Sequence, residues 1–518
     1  MGQGPPAPER WTPLAEDSGR ILILLAALLE TVSKSFPGPA FQNLLHLCLR
    51  QGVATEEDLW KWAREQAGLG SLRRASFDAA RRKTAEPILE GLWVASFPTD
   101  VPAREGADPC PHVVFVRGSR ETARPAAAWF NSGKPRAVEP DALWLRALRL
   151  TLERMRPVCG TFVASTGTLT YDLVSAFARA ASSPLLHVMP DGLTCRPASG
   201  DHAPWQTRHP FVTAVSCLAG RRRCPKNVRW TCRDRMAAHL ADIHIVLELR
   251  PSSRLARILV EQHRRSPRAV LILQGAHDGD SPRSGNGEFA ERLPVKPLWF
   301  HLGKSLREEA GPRTKAAVRT PAVRRDAAPC WAEYLYHYTR VCNGPWPGQN
   351  HQRYCISILR GDPLASHSAL ATLARILNER RIRAGHRRVR GKEPVVSLTS
   401  RPPADLHLFR RWNRSQARWT LEPYGIAIRR TILRAMGAKP TIYGDDCVYE
   451  KLGPTDRHRF QSRGKRNTWV IEREWRLKGD LYLERLSVED YFVFVPNAAE
   501  AERLSLLARL PGPCVTLE

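Results

Sequence analysis

Two glutamates, Glu472 and Glu474, stand one residue apart in the stretch WVIEREWRLKGD, 469–480. Read as a strand, the stretch sorts by a period of two. Trp469, Ile471, Arg473, Trp475 and Leu477 take one face, and Val470, Glu472, Glu474 and Arg476 the other. The two carboxylates would then project together, with Cβ atoms roughly 7 Å apart. Carboxylates so close resist ionising together, and a neighbouring arginine draws them back toward charge. Such a pair can stabilise an oxocarbenium-like sugar and hold its hydroxyl, as carboxylates do in sugar transfer. Beside a histidine and hydroxyls, its natural use is cleavage of the N-glycosidic bond of NAD. His337, followed by Tyr338 and Thr339 in WAEYLYHYTR (331–340), is the histidine, and Ser397 and Thr399 in VVSLTS (395–400) are the hydroxyls. A satisfied core histidine, and an exposed strand face on which Glu474 pairs with Arg476, account for the same residues without chemistry.

A second set of residues suits phosphate. Gly118, Ser119 and Arg120 follow the run HVVFVR, and Ser165, Thr166, Gly167 and Thr168 follow another strand-like run. A turn leading into a helix aims backbone N–H groups outward, glycine permits close approach, and hydroxyls add donors. Neither loop is a Walker or G-x-G-x-x-G pattern. Glycines that only make turns explain both equally.

These groups need elements to hold them. Residues 1–95 read as a helical region, with LLAALLETV, FQNLLHLCLRQG and ATEEDLWKWAREQAG, and with Thr55 as an N-cap ahead of Glu56 and Glu57. From 110 to 280 the rhythm changes to strand, turn and helix, as in CGTFVASTGTLTYDLVSAFARA and ADIHIVLELRPSSRLARILVEQH. That alternation predicts a parallel sheet with crossover helices, in which ligands sit beyond the carboxyl ends of the strands. Residues 281–328 have little periodicity and read as a linker. Residues 329–518 read as a mixed α+β domain.

The chain carries 79 Lys plus Arg against 51 Asp plus Glu, a net charge of +28. Such a field attracts nucleic acid, nucleotide phosphates or acidic partners. An arginine-heavy composition can equally follow from a GC-rich genome. GHRRVRGK (385–392) with RRWNRSQARW (410–419) would supply an Arg/Trp platform for single strands, or simply a solvated basic face. The apolar run ILILLAALL (21–29) is shorter than the roughly 18–20 residues of a membrane span, and no signal-peptide pattern follows it. A cytoplasmic protein without membrane partners is expected. Cys217, Cys224, Cys232 and His239 match no common zinc spacing, so no metal is expected.

The order of strand-GSR, long helix, strand with a Gly/Thr loop, helix, strand ending PDG and a further strand-turn-helix resembles the SLOG superfamily. That Rossmann-like group contains the DNA-processing protein DprA and lysine-decarboxylase-like nucleotide hydrolases. STGT at 165–168 departs from the group's double-glycine loop. The resemblance implies a Rossmann-like domain that senses a nucleotide-derived ligand or holds nucleic acid, at Gly118, Ser119, Arg120 and Ser165 to Thr168. YHYT, VVSLTS, YGIAI, the Gly-Ala-x-Pro-x-x-Tyr stretch (437–443) and W-x-x-E-x-E-W-R (469–476) resemble AbiGi-like abortive-infection proteins, and their spacing is similar to ADP-ribosyltransferase folds. That likeness implies NAD as substrate, Glu474 as catalytic carboxylate and Glu472 as orienting the acceptor. It also implies His337 holding the ribose or nicotinamide side, Ser397 and Thr399 shaping the pocket, and Tyr424 and Tyr443 stacking on nicotinamide. On this reading the protein is a ligand-sensing effector of bacterial stress or anti-phage defence. The competing reading is a non-enzymatic nucleic-acid binder.

Overall fold

Short β-branched and aromatic runs form the strands, and the amphipathic runs between them form the helices. A computed structural model describes residues 12–32, 39–66, 73–84, 92–96, 113–119, 122–132, 138, 142–190, 192–193, 211–217, 226–250, 252–274, 285–302, 330–386, 389–413, 418–463, 470–510 and 512–518. The chain divides into two units. The first comprises Met1–Lys134, Asp141–Leu306 and Asn350–Leu359; the second comprises Pro135–Pro140, Arg307–Gln349 and Arg360–Glu518.

The first unit is built on strands β1 (Thr12–Pro13), β2 (Leu92–Ser96), β3 (Val113–Arg117), β4 (Ala126–Asn131), β5 (Thr161–Ser165), β6 (Leu185–Val188), β7 (Val212–Ser216), β8 (Ile243–Glu248), β9 (Ala269–Leu273) and β10 (Leu298–Phe300). They form one ten-stranded sheet in the order β1-β2-β3-β7-β6-β5-β4-β8-β9-β10. The strands from β7 to β10 in that order run parallel, while β1, β2 and β3 pair antiparallel. Helices α1 (Glu16–Val32), α2 (Pro39–Arg50), α3 (Glu56–Glu65) and α4 (Arg74–Thr84) precede the parallel part, and Thr55 caps α3 by accepting from Asp58 N at 3.1 Å. Between the parallel strands run α5 (Leu143–Met155), α6 (Leu169–Ala180), α7 (Lys226–Leu240), α8 (Arg254–Arg265) and α9 (Gly285–Glu291). The region read as helical, 1–95, also contributes β1 and most of β2. The stretch expected to be linker opens with α9 and β10 in place, the latter pairing with β9.

The central strand β4 is Ala-Ala-Ala-Trp-Phe-Asn, and its residues Ala126 to Phe130 are buried. Small residues let covering helices approach, and Trp129 fills the space that remains. Its ring stacks on Phe162 at 5.3 Å and its N–H donates to Thr151 Oγ1 on α5 at 2.9 Å. Three fully buried histidines also belong to this core. His263 on α8 accepts from Arg268 N (3.4 Å) and lies 2.9 Å from His244 Nδ1, while His244 Nε2 lies 2.8 Å from Ala238 O. A carbonyl only accepts and an amide N–H only donates, so both rings are neutral and the proton order is fixed. Burial pushes both below the ordinary histidine range and pushes His187, on β6, down to about 3, with Arg179 adding to the effect.

The second unit holds β11 (Tyr334–Tyr338), β12 (Arg381–Ile382), β13 (Val395–Thr399), β14 (Trp412–Asn413), β15 (Arg418–Trp419), β16 (Gly425–Arg429), β17 (Lys439–Pro440), β18 (Ile442–Gly444), β19 (Phe460–Ser462), β20 (Glu474–Lys478), β21 (Leu481–Tyr482), β22 (Tyr491–Val495) and β23 (Cys514–Thr516). Seven of them form a mixed sheet, β17-β20-β13-β11-β16-β22-β23. Strand alternation sends Tyr334, Tyr336 and Tyr338 to one face with Phe409, Phe492 and Phe494. Leu335, Leu398, Ile426, Ile428 and Leu477 take the other face, against the helices Ala369–Glu379 and Ala498–Leu507. Among the described residues no helix is long and apolar enough to cross a membrane.

Candidate nucleic-acid interface

The order of parallel strands reverses at β4. From there the chain moves outward through β5, β6 and β7, then returns to lay β8, β9 and β10 on the other side. Such a switch point opens a crevice at the carboxyl ends of the two neighbouring strands, β4 and β8. Ser132 N donates to Glu248 O at 2.8 Å, and Ser132 Oγ accepts from Arg250 N at 2.7 Å, fixing the two strand ends together. Asn286 reinforces them from α9: its Oδ1 accepts from Leu249 N (2.8 Å) and its Nδ2 donates to Leu247 O and Leu273 O, both at 3.0 Å. On this rigid base Arg250 is exposed, and its guanidinium makes no hydrogen bond or ion pair among the described residues. Glu248, in register with Asn131, adds an exposed carboxylate that can accept from a sugar hydroxyl or a base amino group. Helix α5, which follows β4, has Ala142 at its N-cap and no side-chain cap, whereas Thr168 caps α6 and Ser253 caps α8. The first N–H groups of α5 are thus left to other acceptors.

The Ser165–Thr168 loop lies at the same carboxyl edge. Ser165 is buried and its hydroxyl donates to Val188 O at 2.6 Å, so it joins strands. Thr168 Oγ1 caps α6 by accepting from Tyr171 N at 3.3 Å. Gly167, at φ +87°, lies so close to α7 that an added Cβ would meet the Trp230 ring at 2.6 Å. Arg233 Nη1 donates to Thr166 O at 2.9 Å, and Arg229 and Arg233 each lie 4.6 Å from the Trp230 ring. Beneath them Asp234 accepts from Arg233 Nε at 2.8 Å and from the Tyr171 hydroxyl at 3.3 Å. Burial raises the Asp234 carboxyl above its ordinary range, and Arg233, Arg254 and Tyr171 offset part of that. Burial, then Asp234, pushes the Tyr171 phenol well up. The loop is therefore a set piece clamped by α7, edged by arginine and tryptophan.

Gly118 and Ser119 do not join it. Strand β3 is antiparallel to β7, with Arg117 opposite Ala214, so the turn that follows lies at the amino end of the parallel strands. There Gly118 (φ +122°) presses against Thr213, its added Cβ 2.9 Å from Thr213 Cα, and Ser119 N donates to Thr213 Oγ1 at 3.2 Å. Arg120 lies outside the described residues.

In the second unit the stretch around Glu472 is not a continuous strand. Val470–Glu472 is a turn of 3-10 helix, Arg473 takes a positive φ of 45°, and the strand begins only at Glu474. Glu472 and Glu474 therefore do not alternate on one pleat, and Trp469 lies outside the described residues. Glu474 and Arg476 do share a face. Arg476 is 3% exposed and all five of its donors are used: Nε and Nη2 to the two Glu474 oxygens (3.0 and 3.1 Å), Nη1 to His458 O and Phe460 O (3.0 and 2.7 Å), and Nη2 to Gln461 Oε1 (2.6 Å). This pair is a buried strut between β20 and the segment ending in β19.

The register Tyr336–Thr399–Glu474 puts these three on one face of the sheet, while His337, opposite Ile426, belongs to the other. His337 Nδ1 donates to Ser397 O at 3.0 Å, and burial lowers its pKa. Ser397 is exposed on the Glu474 face, opposite Arg476. The remaining residues hold backbone, except Tyr424, whose partner is a side chain. Tyr338 donates to Arg401 O (3.1 Å), Thr339 to Ala369 O (2.8 Å) and Thr399 to Glu472 O, while Tyr424 donates to Glu500 (3.1 Å) and Tyr443 accepts from Glu474 N (3.3 Å). Burial pushes the Tyr443 phenol up to about 12.

Arg229, Trp230, Arg233, Arg250 and Asn286 were not singled out by motif. The basic run RRRCPKNVRWTCR (221–233), with one tryptophan among cations, is the signal that points to the first three. No protein family and no curated protein matches the chain. Among the solved structures similar to part of it are two of DNA processing protein A. One is the X-ray structure of DNA processing protein A (DprA) from Streptococcus pneumoniae, at 16% identity and a TM-score of 0.35, covering 55% of this chain and 95% of that one. The other is DNA processing protein A from Helicobacter pylori, described there for its single-stranded DNA binding mode, at 14% identity and a TM-score of 0.30, covering 39% of this chain and 90% of that one.

Proposed function

We propose that the chain is a nucleic-acid-binding protein that holds the sugar–phosphate backbone at the carboxyl edge of its Rossmann-like sheet. The observation that carries this is Arg250, an exposed cation without an acidic partner among the described residues, fixed at the switch point by Ser132. Arginine offers a planar fork of donors that matches phosphate oxygens. The uncapped start of α5 and the Thr166–Thr168 loop lie at the same edge, and the net charge of +28 supplies long-range attraction. A backbone ligand follows naturally, because phosphate contacts position a nucleic acid without reading its sequence.

The test is fluorescence anisotropy of the full chain with labelled single- and double-stranded oligonucleotides across a salt series. Binding should weaken with salt, and Arg250→Gln should weaken it further while reducing the slope of log K against log[salt] by roughly 0.7–0.9. Competition by free nucleoside diphosphate would reveal whether a mononucleotide occupies the same edge. Absence of salt-dependent binding, or an Arg250→Gln titration identical to wild type, would overturn the proposal.

A further inference from the structure

Strands β14 and β15 of the second unit form a small ribbon within the stretch RRWNRSQARW (410–419). Trp412 pairs with Trp419 and Asn413 with Arg418 across it. The two indoles meet edge to face at 5.4 Å, and the Arg410 guanidinium lies 4.2 Å from the Trp419 ring centre. Trp419 is 37% exposed, with Leu408 beside this segment at 47%. Tryptophan is seldom so open in a folded chain, and here openness is not looseness. Arg418 Nη1 donates to Val341 O at 2.7 Å and Arg340 Nη1 to Thr420 O at 3.2 Å. Arg411 N donates to Thr420 Oγ1 at 3.0 Å and Thr420 N to Arg411 O at 2.9 Å. The ribbon is pinned to the loop after β11.

Arg410 is the telling residue. Its guanidinium makes no hydrogen bond or ion pair among the described residues, and its Nε is buried without an acceptor. The carboxylates of the flanking segments are engaged elsewhere, Asp405 by Arg401 (3.0 Å) and Glu422 by Val341 N (2.9 Å). A cation is thus held on an indole with donors unspent and, among the described residues, no acid to neutralise it. A phosphate oxygen supplies what those donors lack, and an unpaired base supplies a flat partner for the exposed indole. A duplex keeps its base faces inside the stack, so the aromatic surface selects for a single strand.

We propose that the Trp412/Trp419 ribbon is a stacking platform for single-stranded nucleic acid, with one base on Trp419 and the adjoining phosphate on Arg410. It rests on the ribbon alone and can fail while the carboxyl-edge reading stands, or the reverse.

The experiment measures anisotropy of the full chain with a labelled oligothymidine of about 20 nucleotides and with a duplex of equal length. Trp419→Ala should weaken the single strand roughly 5- to 150-fold and leave the duplex unchanged. Trp419→Phe, which keeps a stacking ring, should retain most of the affinity. Arg410→Gln should reduce the single-strand salt slope by roughly 0.7, and Arg410→Lys should restore the slope but not the full affinity. Irradiation of a 5-iodouracil strand should form an adduct in the peptide containing Trp419. Unchanged oligothymidine binding by Trp419→Ala, equal loss for duplex and single strand, or no adduct at this peptide would each overturn the proposal. If Trp419→Ala fails to fold, the Trp419→Phe and Arg410→Gln titrations and the adduct decide it. Loss of binding on Arg250→Gln with the Trp419 variants unchanged would leave only the carboxyl-edge reading standing.

Discussion

Arg476→Met tests the claim that Glu474 and Arg476 form a strut. The wild-type guanidinium has five donors and five acceptor contacts: two on Glu474, two on the carbonyls of His458 and Phe460, and one on Gln461. Methionine replaces the stem but none of the donors. Two backbone carbonyls and an amide oxygen lose a partner, and Glu474, 15% exposed, is left as an unpaired carboxylate. Removing one partner of a buried pair costs about 3–5 kcal/mol, and the residual water at Glu474 places the expectation near the lower end. Hydrogen exchange reads this locally, in peptides covering 456–462 and 474–478. Protection there should fall roughly 100- to 5000-fold, provided the strands open by local or unit-wide unfolding. The double variant Glu474→Leu with Arg476→Met removes both charges and should recover part of the loss, because an apolar pair of similar volume is often nearly neutral. Protection in Arg476→Met equal to wild type, or a double variant worse than the sum of the singles, would refute the reasoning.

Other outcomes follow from the same geometry. Glu474→Gln should lower the stability of the second unit, and wild type and variant should leave NAD equally unconsumed in a chromatographic assay, since both carboxylate oxygens are occupied by Arg476. Gly167→Ala forces a side chain against Trp230 at positive φ and should cost about 1–3 kcal/mol in urea denaturation, with weaker oligonucleotide binding alongside. For pH, the folded-state pKa values of His187, His244 and His263 lie below the unfolded value, so the folded state binds fewer protons. Their contribution is fully present above about pH 6.5 and is lost as pH falls toward about 4 for His263 and about 3 for His187 and His244, by up to about 1.4 kcal/mol per pH unit for each histidine. A pH series of unfolding midpoints should show this, and His187→Phe should flatten it.

Much of the first unit was legible because its strands are β-branched and its helices follow in alternation. The parallel sheet expected from that alternation is present in the strands from β7 to β10 of the sheet order. The central strand was not legible: Ala126, Ala127 and Ala128 carry little strand preference, and only burial on both faces explains them. The direction of β3 was hidden for another reason. A strand has the same local pattern whether it pairs parallel or antiparallel, so the turn at Gly118 looked like a partner of the loop at Gly167 when it lies at the other edge. At residues 470–474 the period of two failed because Arg473 at positive φ interrupts the pleat. What the period did identify is the shared face of Glu474 and Arg476, though buried rather than open. Arg250 was invisible as a site residue because its significance comes from strand order and from the absence of a partner among the described residues, neither of which is local.

The most direct measurement is a contact map of nucleic acid on the full chain, by ultraviolet cross-linking of a 4-thiothymidine oligonucleotide and peptide mass spectrometry. The account predicts adducts in the peptides carrying Thr166 to Thr168, Arg229 to Arg233 and Arg250, at the carboxyl edge of the parallel strands. Adducts confined to the Gly118–Ser119 edge, or none above background, would contradict it.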